Sequence, residues 1–346
     1  MSQVTRDNHF VPQAYLRRWA DGSGCVFRYR LLVSNDSVPL WTKSPVRGLA
    51  SKSDLYTLVD GDREIDEFEH WFEREFETPA QEPLDKAVAG RRLLRDDWQK
   101  IVRYCVAQDL RTPRAYHNIT SRFAESFDGI LGDVLGRAEA AAKRGLLPAA
   151  GSPAPDPDDS LRDAFRITLD PDAFPERNEG QIAVKALAGR RLWLNEAKRL
   201  MSGKVGKVAL RHEWSIVEPA DGMTWLTCDH PVVRLNFSDN DHYDLEGGWG
   251  RRNGNVFMPL SPRHLLFTQI GARLPRRFAF SQEKTAFIRK VLAEAALDDV
   301  FANAPQRDVV MLRRRVVNAE AYAERERAWE AWHDDQNRAE RDFLAD

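Results

Sequence analysis

An α+β fold, with a helical half followed by a mostly antiparallel sheet and a charged C-terminal helix, is predicted by three features of the 346-residue chain. Residues 62–146 carry apolar side chains at helical spacing almost throughout. From residue 212 onward the texture changes to short aromatic and β-branched runs parted by Gly, Asp, Asn and Pro: HEWSIVEPA, TWLTCDHPVVRL, NVFMPLSP, HLLFTQI and RDVVMLRR. These predict four or five strands. Helices followed by strands, without strict βαβ alternation, place the chain outside the doubly wound class.

Taken in order, residues 1–60 predict a short helix and then β structure, with VFRYRLL (26–32) alternating as a half-buried strand does. The helical part, about 62–146, has breaks predicted near Thr78-Pro79 and Thr112-Pro113. A loop over 147–180 contains the Pro-, Ala- and Asp-rich stretch 146–160. A basic helix at about 181–201 and the sheet fill the span to 315, with a helix over 281–298 between strands. Residues 1–315 thus read as one domain, and 316–346 as a separate C-terminal helix.

Composition excludes several classes. Hydrophobic residues make up 42% of the chain, enough for a sizeable core and too many for wholesale disorder. Cys25, Cys105 and Cys228 have neither zinc spacing nor the even count of a disulfide framework, so reduced thiols in a cytoplasmic protein are expected. No apolar stretch has membrane-spanning length, and MSQVTRDNHF lacks the features of a signal peptide. The net charge of −2 conceals uneven placement: −9 over residues 60–85, +7 over 181–211 and −5 over 319–346. A basic face is therefore available to an anionic partner, unless the acidic segments cover it.

The segment NHFVPQAYLRRWA (8–20) places Tyr15, Leu16 and Trp19 on one helical face, which predicts that it docks into the body. His9-Phe10-Val11-Pro12-Gln13 followed by Tyr15-Leu16 resembles the opening of an uncharacterised, mainly bacterial family, domain of unknown function 4238. SDLYT (53–57), the Glu-rich helix after it, LRTP (110–113), the Asp-X-Pro strand end in LTCDHPVV (226–233) and PLSP (259–262) are similar to it as well. The resemblance implies a set of landmarks over roughly 8–315 and no established activity. Where family members often carry Ser-Asp-Asn-Pro, this chain has Cys228-Asp229-His230-Pro231.

Chemistry-bearing side chains on these segments predict a site. At 100° per residue, Glu75 falls within the apolar face formed by Ile65, Phe68, Trp71, Phe72 and Phe76, with Glu69 at its edge. A carboxylate there needs a cation or a metal. Asp229 follows an apolar strand and precedes a proline, a position that suits catalysis and local turn chemistry equally. His9, Glu75, Arg111 and Asp229 are the predicted catalytic residues, with Glu75 and Asp229 also predicted to hold Mg or Mn. Gln13, Arg17, Lys185, Arg190 and Arg191 are predicted to bind substrate.

The function expected is an intracellular enzyme acting on nucleic acid or nucleotide phosphates, a metal-dependent nuclease in phage defence. One alternative is a non-enzymatic sensor or interaction protein in which the motif residues are structural. A second is a ribonuclease of the HEPN type, for which Arg111 and His117 have permissive spacing. Asp239, Asp241 and Asp244 lack the Gly and Glu of a calcium loop, and no phosphate loop or nucleophile elbow is present. Tyr322, Trp329 and Trp332 form a docking stripe, either within the chain or for a homo-oligomer built through the C-terminal helix.

Overall fold

The computed structural model describes residues 6–61, 63–143, 165–174 and 179–345. The N-terminal segment forms strand β1 (Asp7–His9) and helix α1 (Gln13–Leu16), then β2 (Cys25–Arg30), β3 (Leu32–Val33), β4 (Thr42–Pro45), β5 (Ser51–Ser53), β6 (Leu58–Asp60) and β7 (Arg63–Ile65). Four helices follow: α2 (Glu67–Phe72), α3 (Thr78–Val88), α4 (Arg95–Leu110) and α5 (Pro113–Lys143). The hairpin β8 (Phe165–Phe174) and β9 (Glu179–Ala186) leads to α6 (Arg190–Ser202) and α7 (Lys204–Ala209).

The second half holds β10 (Ser215–Glu218), β11 (Thr227–Cys228), β12 (Val233–Phe237), β13 (Tyr243–Asp244), β14 (Asn255–Ser261), β15 (His264–Gln269) and β16 (Arg277–Ala279). Helix α8 (Gln282–Ala295), β17 (Asp299–Ala302), the short α9 (Val309–Leu312), β18 (Val316–Val317) and α10 (Ala319–Leu344) complete it. The mixed, sheet-last architecture is the one predicted. Among the described residues no helix is long and apolar enough to cross a membrane.

Six strands form one sheet in the order β13-β12-β14-β15-β10-β16, antiparallel except for the parallel β10–β16 pair. Strand alternation divides its side chains between two cores. Ile216, Val256, Met258 and Leu266 join the helical half, with Trp19, Phe72, Tyr104 and Trp193. Val217, Phe257, Leu265 and Phe267 pack with Ile288 and Leu292 of α8. Both faces are covered, so every residue of β14 is buried. A four-stranded antiparallel sheet, β11-β17-β2-β4, joins the N-terminal segment to the second half.

Several expected elements differ. Residues 179–186 are a strand, and the basic helix begins only at Arg190. RDVVMLRR contains the four-residue α9, while Asp299–Ala302, at the end of the expected 281–298 helix, forms the strand. The Thr78-Pro79 break is absent because Pro79 sits in the first turn of α3, where its missing N–H is tolerated. The chain breaks instead between α3 and α4. The Pro-rich stretch 146–160 lies outside the described residues.

Both aromatic anchors expected of the opening segment are buried. Tyr15 donates its hydroxyl hydrogen to Pro259 O (2.6 Å) and lies 2.7 Å from Thr227 Oγ1, while Trp19 packs at 4.9 Å from the Tyr15 ring. Tyr15→Phe would strand two buried polar partners and is expected to lower stability by about 1–3 kcal/mol, measured by urea unfolding. An unchanged midpoint would mean that the segment is held by its rings alone.

The C-terminal helix is tied into the body. Trp332 meets Tyr116 of α5 edge-on at 4.8 Å, so the predicted aromatic stripe docks within the chain. Gln336 Oε1 accepts from Arg190 N (2.7 Å) at the start of α6, and a Cβ on Gly189 would lie 2.8 Å from that oxygen. Glu340 binds Arg190 Nε (3.0 Å) and accepts from Val59 N (2.7 Å).

Candidate functional site

Five successive residues at the end of α4 gather the parts of the molecule. Gln108 Nε2 donates to Phe10 O (2.7 Å), Asp109 meets Trp249 and Arg234, and Leu110 O accepts from Trp193 Nε1 (2.8 Å). Arg111 O accepts from the Tyr56 hydroxyl (2.6 Å), and the Thr112 hydroxyl lies 2.7 Å from His230 Nδ1. The last carbonyls of a helix lack intrahelical partners, and here aromatic side chains supply them. Pro113 then starts α5, as the sequence predicted. Two centres of polar side chains flank this junction.

The first belongs to the opening motif. Arg17 donates to Gln13 Oε1 (3.3 Å), which turns the Gln13 amide nitrogen towards His9 Nε2, also at 3.3 Å. Arg111 is buried behind them: it donates to His9 O (2.6 Å), contacts both Glu69 oxygens (3.3 Å) and Glu77 (3.6 Å), and lies over the Phe72 ring at 3.7 Å. Burial opposes the Arg111 charge, but Tyr56, Glu69 and Glu77 more than offset it. Burial also raises Glu69 and Glu77 above the ordinary carboxylate range, against the pull of Arg111.

His9, Gln13, Arg17 and Arg111 therefore come together, but Glu75 does not join them. Residues Glu73–Glu77 form a π turn, which takes more residues per turn than an α-helix and rotates the following side chains out of the expected phase. That rotation brings Glu77 into line with Glu69. Glu75 is left 40% exposed and paired with its neighbour Arg74. The wheel that put Glu75 inside assumed an unbroken 100° step.

Asp229 stands elsewhere, as a structural clasp. Its carboxylate accepts from the backbone N–H groups of Leu297 (2.9 Å), Asp298 (2.5 Å) and Asp299 (3.0 Å), fixing β11 to the turn between α8 and β17. Burial, with Asp299 and Asp298 nearby, pushes its pKa up to about 7 despite those amides. An acid raised in the folded state keeps its proton after the unfolded chain has released it, so its contribution to stability falls between about pH 4 and pH 7. The wild type is thus expected to lose stability relative to Asp229→Asn over that window and to run parallel to it above. A constant difference in urea midpoint from pH 4.5 to 8 would show that the folded carboxyl is ionised throughout.

The predicted basic substrate face is likewise redirected. Arg190 is fully buried, bound to Glu340, Asn337 Oδ1 (2.8 Å) and Asp54 O (3.2 Å). Arg191 donates to Val59 O and lies 3.8 Å from Glu340. These guanidinium groups face inward because the acidic tail helix covers them. Lys185 is exposed at the end of β9. For the Arg-x5-His spacing, Arg111 ends α4 and is buried, while His117 stands exposed on α5. Among the described residues no three His, Cys, Asp or Glu side chains are grouped to hold a metal ion, and Glu75 and Asp229 have separate partners.

The second centre lies on the other side of the junction. Asp109, buried, binds Trp249 Nε1 (3.0 Å) and Arg234 Nε (3.2 Å) through Oδ2. Its Oδ1 has no hydrogen-bond partner among the described residues and faces His230 Nε2 at 3.8 Å. Burial, reinforced by Arg114 and Arg234, lowers the His230 pKa well below its usual value. The neutral ring shares a hydrogen bond with the Thr112 hydroxyl at Nδ1 and turns Nε2 towards the Asp109 carboxylate. At 3.8 Å the two atoms stand beyond hydrogen-bond reach, which leaves Oδ1 unpaired.

These groups line a cavity of about 320 Å³ whose rim carries Asn118, Arg122 and Lys204. Leu110, Ile119, Leu200, Val205 and Val208 form its apolar wall. Its lining holds three cations, Arg122, Lys204 and Arg234, against the single carboxylate of Asp109. Arg122 and Lys204 have no ion pair among the described residues. Sequence reasoning passed over this site. Asp109 immediately precedes the LRTP landmark and His230 is adjacent to Asp229, but their convergence depends on a contact across 121 positions.

The family model described as protein of unknown function (DUF4238) matches residues 7–306. The chain belongs to this family. The match takes in both centres and ends before α10. No curated protein matches the chain, and no solved structure does.

Proposed function

We propose that this DUF4238 protein is an enzyme acting on the phosphate groups of a nucleotide or nucleic acid, with the chemistry at the Asp109–His230 cavity. The observation that carries the reading is the neutral imidazole of His230 3.8 Å from an unpaired carboxylate oxygen, inside a cavity lined by Arg122, Lys204 and Arg234. The cations hold the phosphate and stabilise charge that develops on it. In the tautomer that carries its proton on Nδ1, His230 Nε2 takes the proton of an attacking water or hydroxyl, and Asp109 Oδ1 then pairs with the imidazolium. The new oxygen–phosphorus bond forms as the bond to the leaving oxygen breaks, and that oxygen takes up a proton. A divalent ion such as Mg²⁺ or Mn²⁺ would enter on the substrate phosphates, as it does where a site offers few carboxylates of its own.

The test is incubation of the purified protein with end-labelled RNA, DNA and nucleotides, with and without Mg²⁺ or Mn²⁺, beside a His230→Asn variant. Product from the wild type alone is expected. No product from any substrate under any of these conditions would overturn the reading. The setting we infer is the cell interior, in defence against invading nucleic acid; the free thiols of Cys25, Cys105 and Cys228 suit a reducing compartment.

A second reading is favoured by the way the family landmarks are held. His9, Arg111 and Asp229 all engage the backbone, as expected if these landmark residues are structural. In that case the cavity binds a phosphate ligand without turnover and the protein is a sensor. Saturable binding of the same nucleotides with no product would select it.

A further inference from the structure

An arginine-lined groove lies at the opposite end of α4 from the His230 cavity. It has a volume of about 770 Å³ and takes Arg91 and Arg92 from the α3–α4 loop, Arg95 from the first turn of α4, Arg211 from the α7–β10 connection, and Arg276 and Arg277 from the start of β16. Glu213 is the one carboxylate among its lining residues. Arg276 pairs with Glu213 at 3.2 Å, and Arg277 donates to Ala87 O and Arg91 O. The side chains of Arg91, Arg92, Arg95 and Arg211 are exposed and have no hydrogen bond or ion pair among the described residues.

Fold stability does not account for this grouping. Exposed guanidinium groups repel one another, and Arg95 stands at the positive end of a helix dipole, where a cation is unfavourable. A polyanion relieves both penalties. The groove also has a flat apolar wall: Trp98 is half-buried with the Arg276 guanidinium over its ring at 5.1 Å. Guanidinium planes and indole rings are surfaces on which unstacked bases rest, whereas a duplex keeps its bases inside. The volume exceeds what a single phosphate needs.

We infer that this groove binds a single strand of nucleic acid through its phosphodiester backbone, with a base stacked at the Trp98–Arg276 wall. The inference deepens the proposed function and rests on it in one respect, naming a strand as the substrate delivered to the His230 cavity. Trp98 and Asp109 are eleven residues apart on α4, three helical turns, so groove and cavity share one helix face at a separation of about 16 Å.

The experiment is fluorescence anisotropy with a 5′-labelled twelve-nucleotide strand, as RNA and as DNA, and with the corresponding duplex, across a salt series. His230→Asn protein is used so that turnover does not deplete the probe. Saturable binding to a strand, weaker binding to the duplex, and a loss of ten-fold or more in an Arg91→Glu, Arg92→Glu, Arg211→Glu variant are expected. The slope of log affinity against log salt should fall by about 2 in that variant, the value for three lost phosphate contacts. An Arg→Gln version of the same variant, with urea midpoints for both, separates lost binding from lost folding. Whichever of RNA and DNA binds more tightly identifies the strand. No saturable strand binding, equal binding of the duplex, or unaltered affinity in a folded variant would each overturn the inference. Strand binding without turnover would sink the proposed activity and leave the groove standing, while turnover of mononucleotides without strand binding would do the reverse.

Discussion

Glu340→Ala is expected to destabilise the protein by about 3–5 kcal/mol, the range for breaking a buried ion pair from one side. Arg190 is wholly enclosed, and its Nε has the Glu340 carboxylate at 3.0 Å as its charged partner. Truncating Glu340 leaves a guanidinium in the interior with only Asn337 and Asp54 O to hold it. Val59 N, in the middle of β6, loses its acceptor as well. The loss is to be read from urea unfolding at neutral pH, alongside an Arg190→Met, Glu340→Leu double variant. The double variant should recover part of the loss, because the penalty lies in the stranded charge more than in the missing contact. Near-wild-type stability of Glu340→Ala would mean that α10 is an appendage, as the sequence suggested, and not part of the folded body.

The second large effect is catalytic. His230→Asn keeps a polar group beside Thr112 but removes the proton acceptor that faces Asp109, and should lower turnover of the productive substrate by about 10²–10⁴-fold. Affinity should change little, since Arg122, Lys204 and Arg234 remain on the rim. Because the folded imidazole is held neutral, the acid limb of the wild-type rate profile is expected below the ordinary histidine value of 6.5. Rates that fall off only above neutral pH, or a variant that turns over as fast as the wild type, would remove His230 from the chemistry.

Local signals in the sequence were read with success where the physics is local. Tyr15, Leu16 and Trp19 at helical spacing docked as their pattern required, and the aromatic runs from Trp214 onward became sheet. The landmark residues His9, Gln13, Arg17 and Arg111 converged. What the sequence concealed depended on geometry or distant contacts. The π turn at Glu73–Glu77 exchanged Glu75 for Glu77, and no residue pattern announces a π turn. Arg190 and Arg191 turned inward because Glu340, 150 positions away, supplies the counter-charge. Segment charge marked a basic stretch and an acidic tail, and in the fold Arg190 and Glu340 from the two neutralise each other. Arg91 and Arg92 of the arginine groove lie in the short α3–α4 loop, outside the charged segments that the sequence marks out.

The central claim is that a neutral His230 beside Asp109 receives a phosphate-bearing ligand. Imidazole ¹⁵N NMR, with the His230→Asn spectrum for assignment, tests it most directly as inorganic phosphate and then adenosine monophosphate are added near neutral pH. The account predicts a neutral ring in the free protein, protonated at Nδ1, whose Nε2 resonance moves saturably with ligand. A ring already charged in the free protein, or a resonance unmoved by millimolar phosphate and nucleotide alike, would contradict it.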